Sequence, residues 1–517
     1  MNTKEKFTEE IKSAYTFNSE YITLGGAIFE GDCVNNLHIN IPLKTLNRHG
    51  LIAGATGTGK TKTLQVITEQ LSSKSIPVLV MDIKGDFSGI AMPGTTNPKI
   101  EERHNKIGLT YTPSGFPVEL LTLSEEKGVR LRATVSEFGP VLLSKILELN
   151  DTQSSFVSLI FKYCDDVQLP VLDLKDFKRV LQYISNEGKA EIEKEYGKIS
   201  TTSVGTILRK VIELEQQGAE KFFGEKSFEV DDLVRIDENG RGVISIIRLA
   251  DIQDKPKLFS TFMLSLLAEI YSSFPEEGDV SQPKLTIFID EAHLIFKEAS
   301  KALLEQIETI IKLIRSKGVG IFFCTQNPTD VPSSVLSQLG LKVQHALRAF
   351  TAKDRQMIKL TAENYPISEY YKTDEMLTSL GIGEAAITAL NEKGIPTPLT
   401  AVLLRAPQSR MDILADNEID ELVRSSKLIP KYNEEFDRES AYEMLNKKLE
   451  VSKTPKTEPL PKYQPPTQPR QTTRQEKSTF EKVLTNPTTK QIGNTIVKEL
   501  ARGLLGVLGL GGTTRRR

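Results

Sequence analysis

The residues of this 517-residue chain that are equipped for chemistry fall in a few short strings. The first is LIAGATGTGKTKTL, residues 51–64, where Gly54, Gly59, Lys60 and Thr61 meet the spacing G-x-x-x-x-G-K-[ST]. Glycines there let successive N–H groups turn inward around phosphate oxygens. Lys60 supplies a point charge for the terminal phosphates, and the Thr61 hydroxyl is a Mg²⁺ ligand by type. The candidate cradle therefore runs through Gly54, Ala55, Thr56, Gly57, Thr58, Gly59, Lys60, Thr61 and Lys62. Leu51–Ala53 reads as a buried strand and Thr63–Leu71 as a helix, so the bound anion faces a helix N-terminus.

Hydrolysis needs a second acidic site, and LTIFIDEAH, residues 285–293, supplies it. An apolar run precedes two acids, which places them at the C-terminal tip of a buried parallel strand, where ligands of open α/β sheets bind. Asp290 is the expected Mg²⁺ ligand and Glu291 the group that polarises the attacking water. A third apolar run, GVGIFFCT, ends at Gln326, either a sensor of the γ-phosphate or a plain strand cap. The helical stretch between these two strands buries Leu303, Ile307, Ile310, Ile311 and Ile314 by spacing. Arg315 follows it, where a cation also complements the helix dipole. Asp82, at the tip of IPVLVMDIKGDF, is open between metal shell and strand cap. The letters DEAH also mark two-lobed helicases, but no second ATPase lobe is evident after residue 410.

The order of the phosphate loop, DIKGD, FIDEAH, LIRSKGVG, TQNPTDVP and QHALRAF resembles the HerA/FtsK group of P-loop ATPases, most closely the bacterial YjgR-like proteins with their HerA-like helicase domain. The resemblance covers roughly residues 20–410. It implies a RecA-like fold, ATP and Mg²⁺ as cofactors, and a homo-oligomer, commonly a hexameric ring, that moves double-stranded DNA. By motif position it gives Lys60, Thr61, Asp290, Glu291 and Gln326 the phosphate, metal, catalytic and sensor roles. It matches Arg315 to an arginine that reaches the neighbouring subunit's nucleotide, and Arg348 to a recurrent basic position. HerA proteins carry a β-barrel before the ATPase, which docks a nuclease. The 53 residues before Gly54 predict only two or three short strands, so the nuclease partnership is not carried over.

Composition is that of an ordinary globular chain, 39% apolar and 26% charged. Cys33, Cys164 and Cys324 are far apart and match neither a metal spacing nor a disulfide framework, which predicts a reducing, cytoplasmic setting. No apolar run of about 18 residues predicts a transmembrane helix, and the polar N-terminus lacks a signal-peptide core. Net charge is −2, but residues 451–517 hold 13 Lys or Arg against 4 Glu, leaving the first 450 residues at −11. An acidic body argues against a protein that coats nucleic acid with a basic face.

The expected fold is α/β: a RecA-like P-loop NTPase core of the additional-strand, catalytic-glutamate type, with a mainly helical insertion and a disordered C-terminal linker. Residues 1–47 read as a short helix and a small β-element, 48–91 as the first part of the core, and 92–240 as the helical insertion. The core resumes over 241–410, and a helical segment occupies 411–450. Residues 451–490, rich in Pro, Gln, Thr and Lys, read as linker. Residues 491–517 combine the stripe Ile492, Ile496, Val497, Leu500, Leu504, Leu508 with terminal arginines and suit an anionic or protein partner. The reading is a Mg²⁺-dependent ATPase acting as a ring-forming DNA translocase or helicase. The alternative is a slowly hydrolysing, nucleotide-gated scaffold that binds a protein or membrane partner.

Overall fold

Short apolar runs rich in Val, Ile and Phe, separated by helices, build one twelve-stranded sheet. A computed structural model of the chain describes residues 2–252, 255–278, 280–297, 301–434 and 438–453. Its strands are β1 (Tyr21–Phe29), β2 (Asp32–Pro42), β3 (Gly50–Ala53), β4 (Val78–Asp82), β5 (Val118–Thr122) and β6 (Val129–Arg130). They continue with β7 (Ile244–Arg248), β8 (Leu285–Ile289), β9 (Val319–Thr325), β10 (Leu341–His345), β11 (Glu384–Thr388) and β12 (Thr400–Leu404). The order is β2-β1-β12-β11-β10-β3-β9-β8-β4-β7-β5-β6. From β10 to β6 every pairing is parallel. Every residue of β3, β4, β8 and β9 is buried, as expected of parallel strands covered on both faces.

β9 lies between the phosphate-loop strand β3 and the acidic strand β8. That intervening strand defines the additional-strand class of RecA-like fold. Gly50 of β3 pairs with Phe322 and Ala53 with Thr325, so β3 and β9 finish level, with the phosphate loop and Gln326 leaving from the same end.

The remaining strands are antiparallel. Residues 384–404 form the hairpin β11–β12, and β1 docks on β12 with Gly25 opposite Leu404. A Cβ at Gly25 would lie 2.0 Å from the Leu403 carbonyl oxygen, so the glycine permits this close pairing. The N-terminal β-element is thus part of the main sheet, in two strands of 9 and 11 residues rather than short separate ones. The helix Thr3–Ala14 covers it, with Phe7 and Ile11 fully buried and Asn2 capping its first turn.

The described residues divide into two compact units: 2–133 with 214–434, and 134–213 with 438–453. β5 and β6 belong to the sheet, although 92–240 was expected to be mainly helical and separate. The helical body is narrower and begins at Thr134. In it the helices Val135–Ile146, Asp151–Val167, Leu174–Ser185 and Lys189–Tyr196 are joined by Ala441–Lys453. Buried Asp176 holds that last helix in place: it accepts the Ser440 hydroxyl at 2.6 Å and the Tyr442 N–H at 2.9 Å. The expected segment 411–450 is therefore divided, with Asp416–Ser425 in the sheet unit and Ala441–Lys453 in the helical one. The expected linker beyond residue 453 and the helix at 491–517 lie outside the described residues. Among the described residues no helix is long and apolar enough to cross a membrane.

Candidate active site

β3 ends at Ala53 and the chain turns through Gly54–Gly59 into the helix Lys60–Ser73. Gly54 has φ 152°, and a Cβ there would stand 2.5 Å from the His345 Cβ, so no other residue fits. Gly59, at φ 112°, caps the helix in the left-handed region. The loop is anchored on neighbouring strand tips. Gly54 N–H donates to the Thr325 carbonyl at 3.3 Å and Ala55 N–H to that of Ala346 at 2.9 Å. The Thr58 hydroxyl donates to the Ala55 carbonyl at 2.7 Å. Lys60 is buried, and its Nζ donates to the carbonyls of Gly54 at 2.7 Å and Ala55 at 3.2 Å. Burial, helped by the nearby Lys84 charge, pulls its ammonium below the usual range, against the pull of Glu291 and Asp290.

Across the same end of the sheet, β8 delivers Asp290 and Glu291. Burial pushes the Asp290 carboxyl up to about 6, against the opposing charge of Lys84. Thr61, Asp82, Asp86 and Asp290 line one cavity, and Thr61 Oγ1 lies 3.4 Å from Asp86 Oδ2. These four groups are oxygen donors, with the buried thiol of Cys324 beside them, and a carboxyl whose charge is costly in that place is one that a cation would stabilise. Among the described residues no cluster of three His, Cys, Asp or Glu is arranged to hold a metal. Mg²⁺ is usually held by one or two protein oxygens together with phosphates, and Thr61 and Asp290 are two such oxygen donors on one cavity. Asp82 turns inward instead. It accepts the N–H groups of Gly85, Asp86 and Phe87 at 2.8, 3.2 and 3.1 Å, and burial pushes it up to about 7. Its role is to hold the loop that carries Lys84 and Asp86.

Glu291 is buried and adopts φ 45°, a left-handed conformation uncommon for a non-glycine residue. Lys84 forms an ion pair with Glu291 Oε1, and His293 Nδ1 stands 3.2 Å from Oε2. Burial lowers the Lys84 pKa, but the bond to Glu291 and the charge of Asp290 leave it above its usual range.

The other expected residues are spread over both ends of the sheet. Gln326 is exposed, one residue past β9. Arg348 is exposed three residues past β10, also at the phosphate-loop end, and its Nη1 donates to the Thr378 carbonyl at 3.2 Å. The ammonium of Lys62 is directed to the Met411 carbonyl, so this cradle residue does not offer its charge to the loop. Arg315 opens a short 3-10 turn between the helix Lys301–Ile314 and the first residue of β9. It is exposed at the opposite end of the sheet from Gln326, with the seven residues of β9, ~23 Å long, between them. His49 joins the helix that ends beside Arg315 to the start of β3. Its Nδ1 accepts the Ile321 N–H at 3.0 Å and its Nε2 donates to the Ile311 carbonyl at 2.8 Å. Burial, with the Arg315 charge nearby, lowers its pKa to about 4 and keeps it neutral.

With this geometry in place, the family model described as "Helicase HerA-like C-terminal" matches residues 30–516. The chain belongs to the HerA-like C-terminal helicase family. Among curated proteins, the DNA double-strand break repair helicase HerA of Sulfolobus acidocaldarius is 23% identical over 372 residues, 70% of this chain and 66% of the relative. The protein of the same name from Saccharolobus solfataricus is 24% identical over 389 residues, 74% of this chain and 69% of the relative. The chain thus spans just under two thirds of the length of the Sulfolobus acidocaldarius relative. Among solved structures, the bacterial conjugative coupling protein TrwBdeltaN70 superposes with a TM-score of 0.52 at 13% identity, over 79% of this chain and 95% of that one. The plasmid coupling protein TrwB in complex with a non-hydrolysable ATP analogue gives 0.52 at 14%, over 78% and 95%. These likenesses establish a shared fold.

Three residues of this HerA-like site were not singled out by spacing. Lys84 and Asp86 sit in DIKGD, whose sequence signal has the same form as that of the acidic string: an apolar strand running into charged residues at its tip. His345, buried at the end of β10, pairs with the Thr63 hydroxyl at 2.9 Å and is held neutral by burial and by the Lys60 charge. It had no local signal, because only strand order brings β10 beside the phosphate loop.

Proposed function

We propose that this HerA-like chain is a Mg²⁺-dependent ATP hydrolase that works as a ring-forming motor, a hexamer by family resemblance, on double-stranded DNA. The observation that carries the reading is that Lys60, Asp290 and Glu291 leave one end of the sheet on strands separated only by β9. Water attacks the γ-phosphate in line, oriented by Glu291. Lys60 takes up charge on the phosphates, and Gln326 is read as the γ-phosphate sensor, a reading supported by its exposed position one residue past β9. Thr61 and Asp290 are the residues that would hold Mg²⁺, which when bound supplies charge neutralisation to the phosphates. Arg315 is read as serving a neighbouring subunit's nucleotide, a reading supported by its exposed position after the helix Lys301–Ile314, at the end of the sheet away from its own phosphate loop. Arg348, at the near end, is a second basic group for the same chemistry.

DNA as the substrate is supported by the relatives, which are named DNA double-strand break repair helicases. The acidic body implies that DNA contacts are confined to a few basic positions. The test is phosphate release with and without duplex DNA across a salt series. Stimulation by DNA that fades as salt rises is expected. A slow rate indifferent to DNA at every salt concentration would refute the motor.

A further inference from the structure

The phosphate loop accounts for a nucleotide's phosphates but not for its base. The face of the loop's own helix leads to a candidate. Lys62, Gln65 and Glu69 recur at steps of three and four, and the helix therefore presents them on one side, with Thr58 in the loop that precedes it. Two segments are strapped along that side. Glu69 accepts the N–H groups of Gln408 and Ser409 at 2.8 and 2.9 Å. Gln65 donates to the Arg410 carbonyl at 2.9 Å, and Lys62 to that of Met411. Residues 408–411 thus descend the helix toward the loop. At the loop itself, Gly383 N–H donates to the Thr58 carbonyl at 3.0 Å.

Two aliphatic side chains stand in solvent on this rim: Ile382, 72% exposed, and Met411, 39% exposed. Both are tied to the start of the phosphate-loop helix: Gly383, next to Ile382, donates to the Thr58 carbonyl, and the Met411 carbonyl accepts the Lys62 ammonium. The backbone beneath Ile382 is fixed. Arg103 donates to the carbonyls of Ile382, Gly383 and Leu404 at 3.2, 3.0 and 3.0 Å. Exposed apolar side chains on a rigid frame beside a phosphate cradle are suited to a flat heteroaromatic ring.

We propose that Ile382 and Met411 form the purine subsite of the nucleotide site and take the base by apolar contact, without reading its hydrogen-bonding edge. The proposal rests on the reading that the loop binds nucleotide phosphates. Four backbone groups on the rim already have partners: the Ile382 and Gly383 carbonyls have Arg103, the Gly383 N–H has Thr58, and the Met411 carbonyl has Lys62. A site that hydrogen-bonds a substrate's polar edge rejects the analogue lacking it by about 10⁴–10⁵, whereas an apolar site discriminates only about 10–200-fold. Adenine and guanine nucleotides should therefore bind this chain within about tenfold of each other.

The test is calorimetric titration of the full chain with ATP, GTP and inorganic tripolyphosphate, each with Mg²⁺. Ile382 is largely exposed and Met411 partly so, and Ile382→Ala/Met411→Ala should stay folded, with a cooperative melting transition that the same samples confirm. The double variant is expected to lose about tenfold in affinity for ATP and GTP alike while tripolyphosphate binding stays unchanged. An unchanged ratio of ATP to tripolyphosphate affinity in the double variant overturns the subsite. So does a wild-type preference for ATP over GTP of more than about a hundredfold. Failure of the underlying reading looks different: wild type would bind none of the three ligands, and both proposals would fall.

Discussion

Glu291→Gln separates chemistry from structure because the two carboxylate oxygens have different neighbours. Oε1 is paired with Lys84, and Oε2 faces His293 Nδ1 at 3.2 Å. Glutamine keeps a carbonyl oxygen for Lys84 and turns an amide toward the imidazole. What is lost is one charge. The Lys84 side chain is 38% exposed, so that loss is screened and should cost the fold no more than about 1 kcal/mol. Removing a negative charge near Lys60 should leave ATP binding intact or tighten it up to about fivefold, the equivalent of ~1 kcal/mol. Turnover should fall much further. Loss of a positioned base is worth about 10²–10⁴ in rate, or ~3–5 kcal/mol at the transition state. Steady-state and single-turnover phosphate release, with equilibrium ATP binding on the same samples, measure both quantities. Turnover within about twofold of wild type, far short of a lost base, would refute the assignment of Glu291 as the group that orients water.

Protons should compete with Mg²⁺ at Asp290, whose pKa lies at about 6, so half-saturating Mg²⁺ should rise more steeply below that pH in wild type than in Asp290→Asn; parallel Mg²⁺ titrations of ATP binding at several pH values check this. The same raised pKa gives the metal-free fold a contribution that is full below the unfolded value near 4 and lost as pH rises through about 6, so the melting temperature of wild type relative to Asp290→Asn should fall across that window. Arg315→Ala and Glu291→Gln, each inactive alone, should recover part of the ATPase activity when co-assembled, because some interfaces then pair an intact Arg315 with an intact Glu291; no recovery in a mixture shown to co-assemble would place the arginine in cis. Asp176→Ala removes the acceptor that Ser440 and Tyr442 share, and should destabilise the helical unit by about 3 kcal/mol, exposing Ala441–Lys453 to limited proteolysis while ATP binding persists.

The sequence alone determined those features of this protein whose physics is local. The phosphate loop is legible because its glycines, Lys60 and Thr61 act through backbone conformation within a few residues. Asp290 and Glu291 are legible because an apolar run that ends in paired acids, downstream of a phosphate loop, reads as a buried strand delivering them at its tip. Helical faces such as Ile307, Ile310, Ile311 and Ile314 follow from spacing, and all four are buried. Only the tertiary structure decided which strands are neighbours. The pairing of β1 with β12 joins residues almost 380 positions apart, Gly25 with Leu404, and no local pattern encodes that register. Placing Lys84 on Glu291 required β4 beside β8, and setting Lys62 on Met411 required the chain after β12 to return along the phosphate-loop helix. The same holds for Ala441–Lys453, an amphipathic stretch whose partner is chosen by buried Asp176 and not by its position after the core. Residue type and spacing specify what a side chain can do, but what it meets depends on strand order and on the contacts that long-range packing selects.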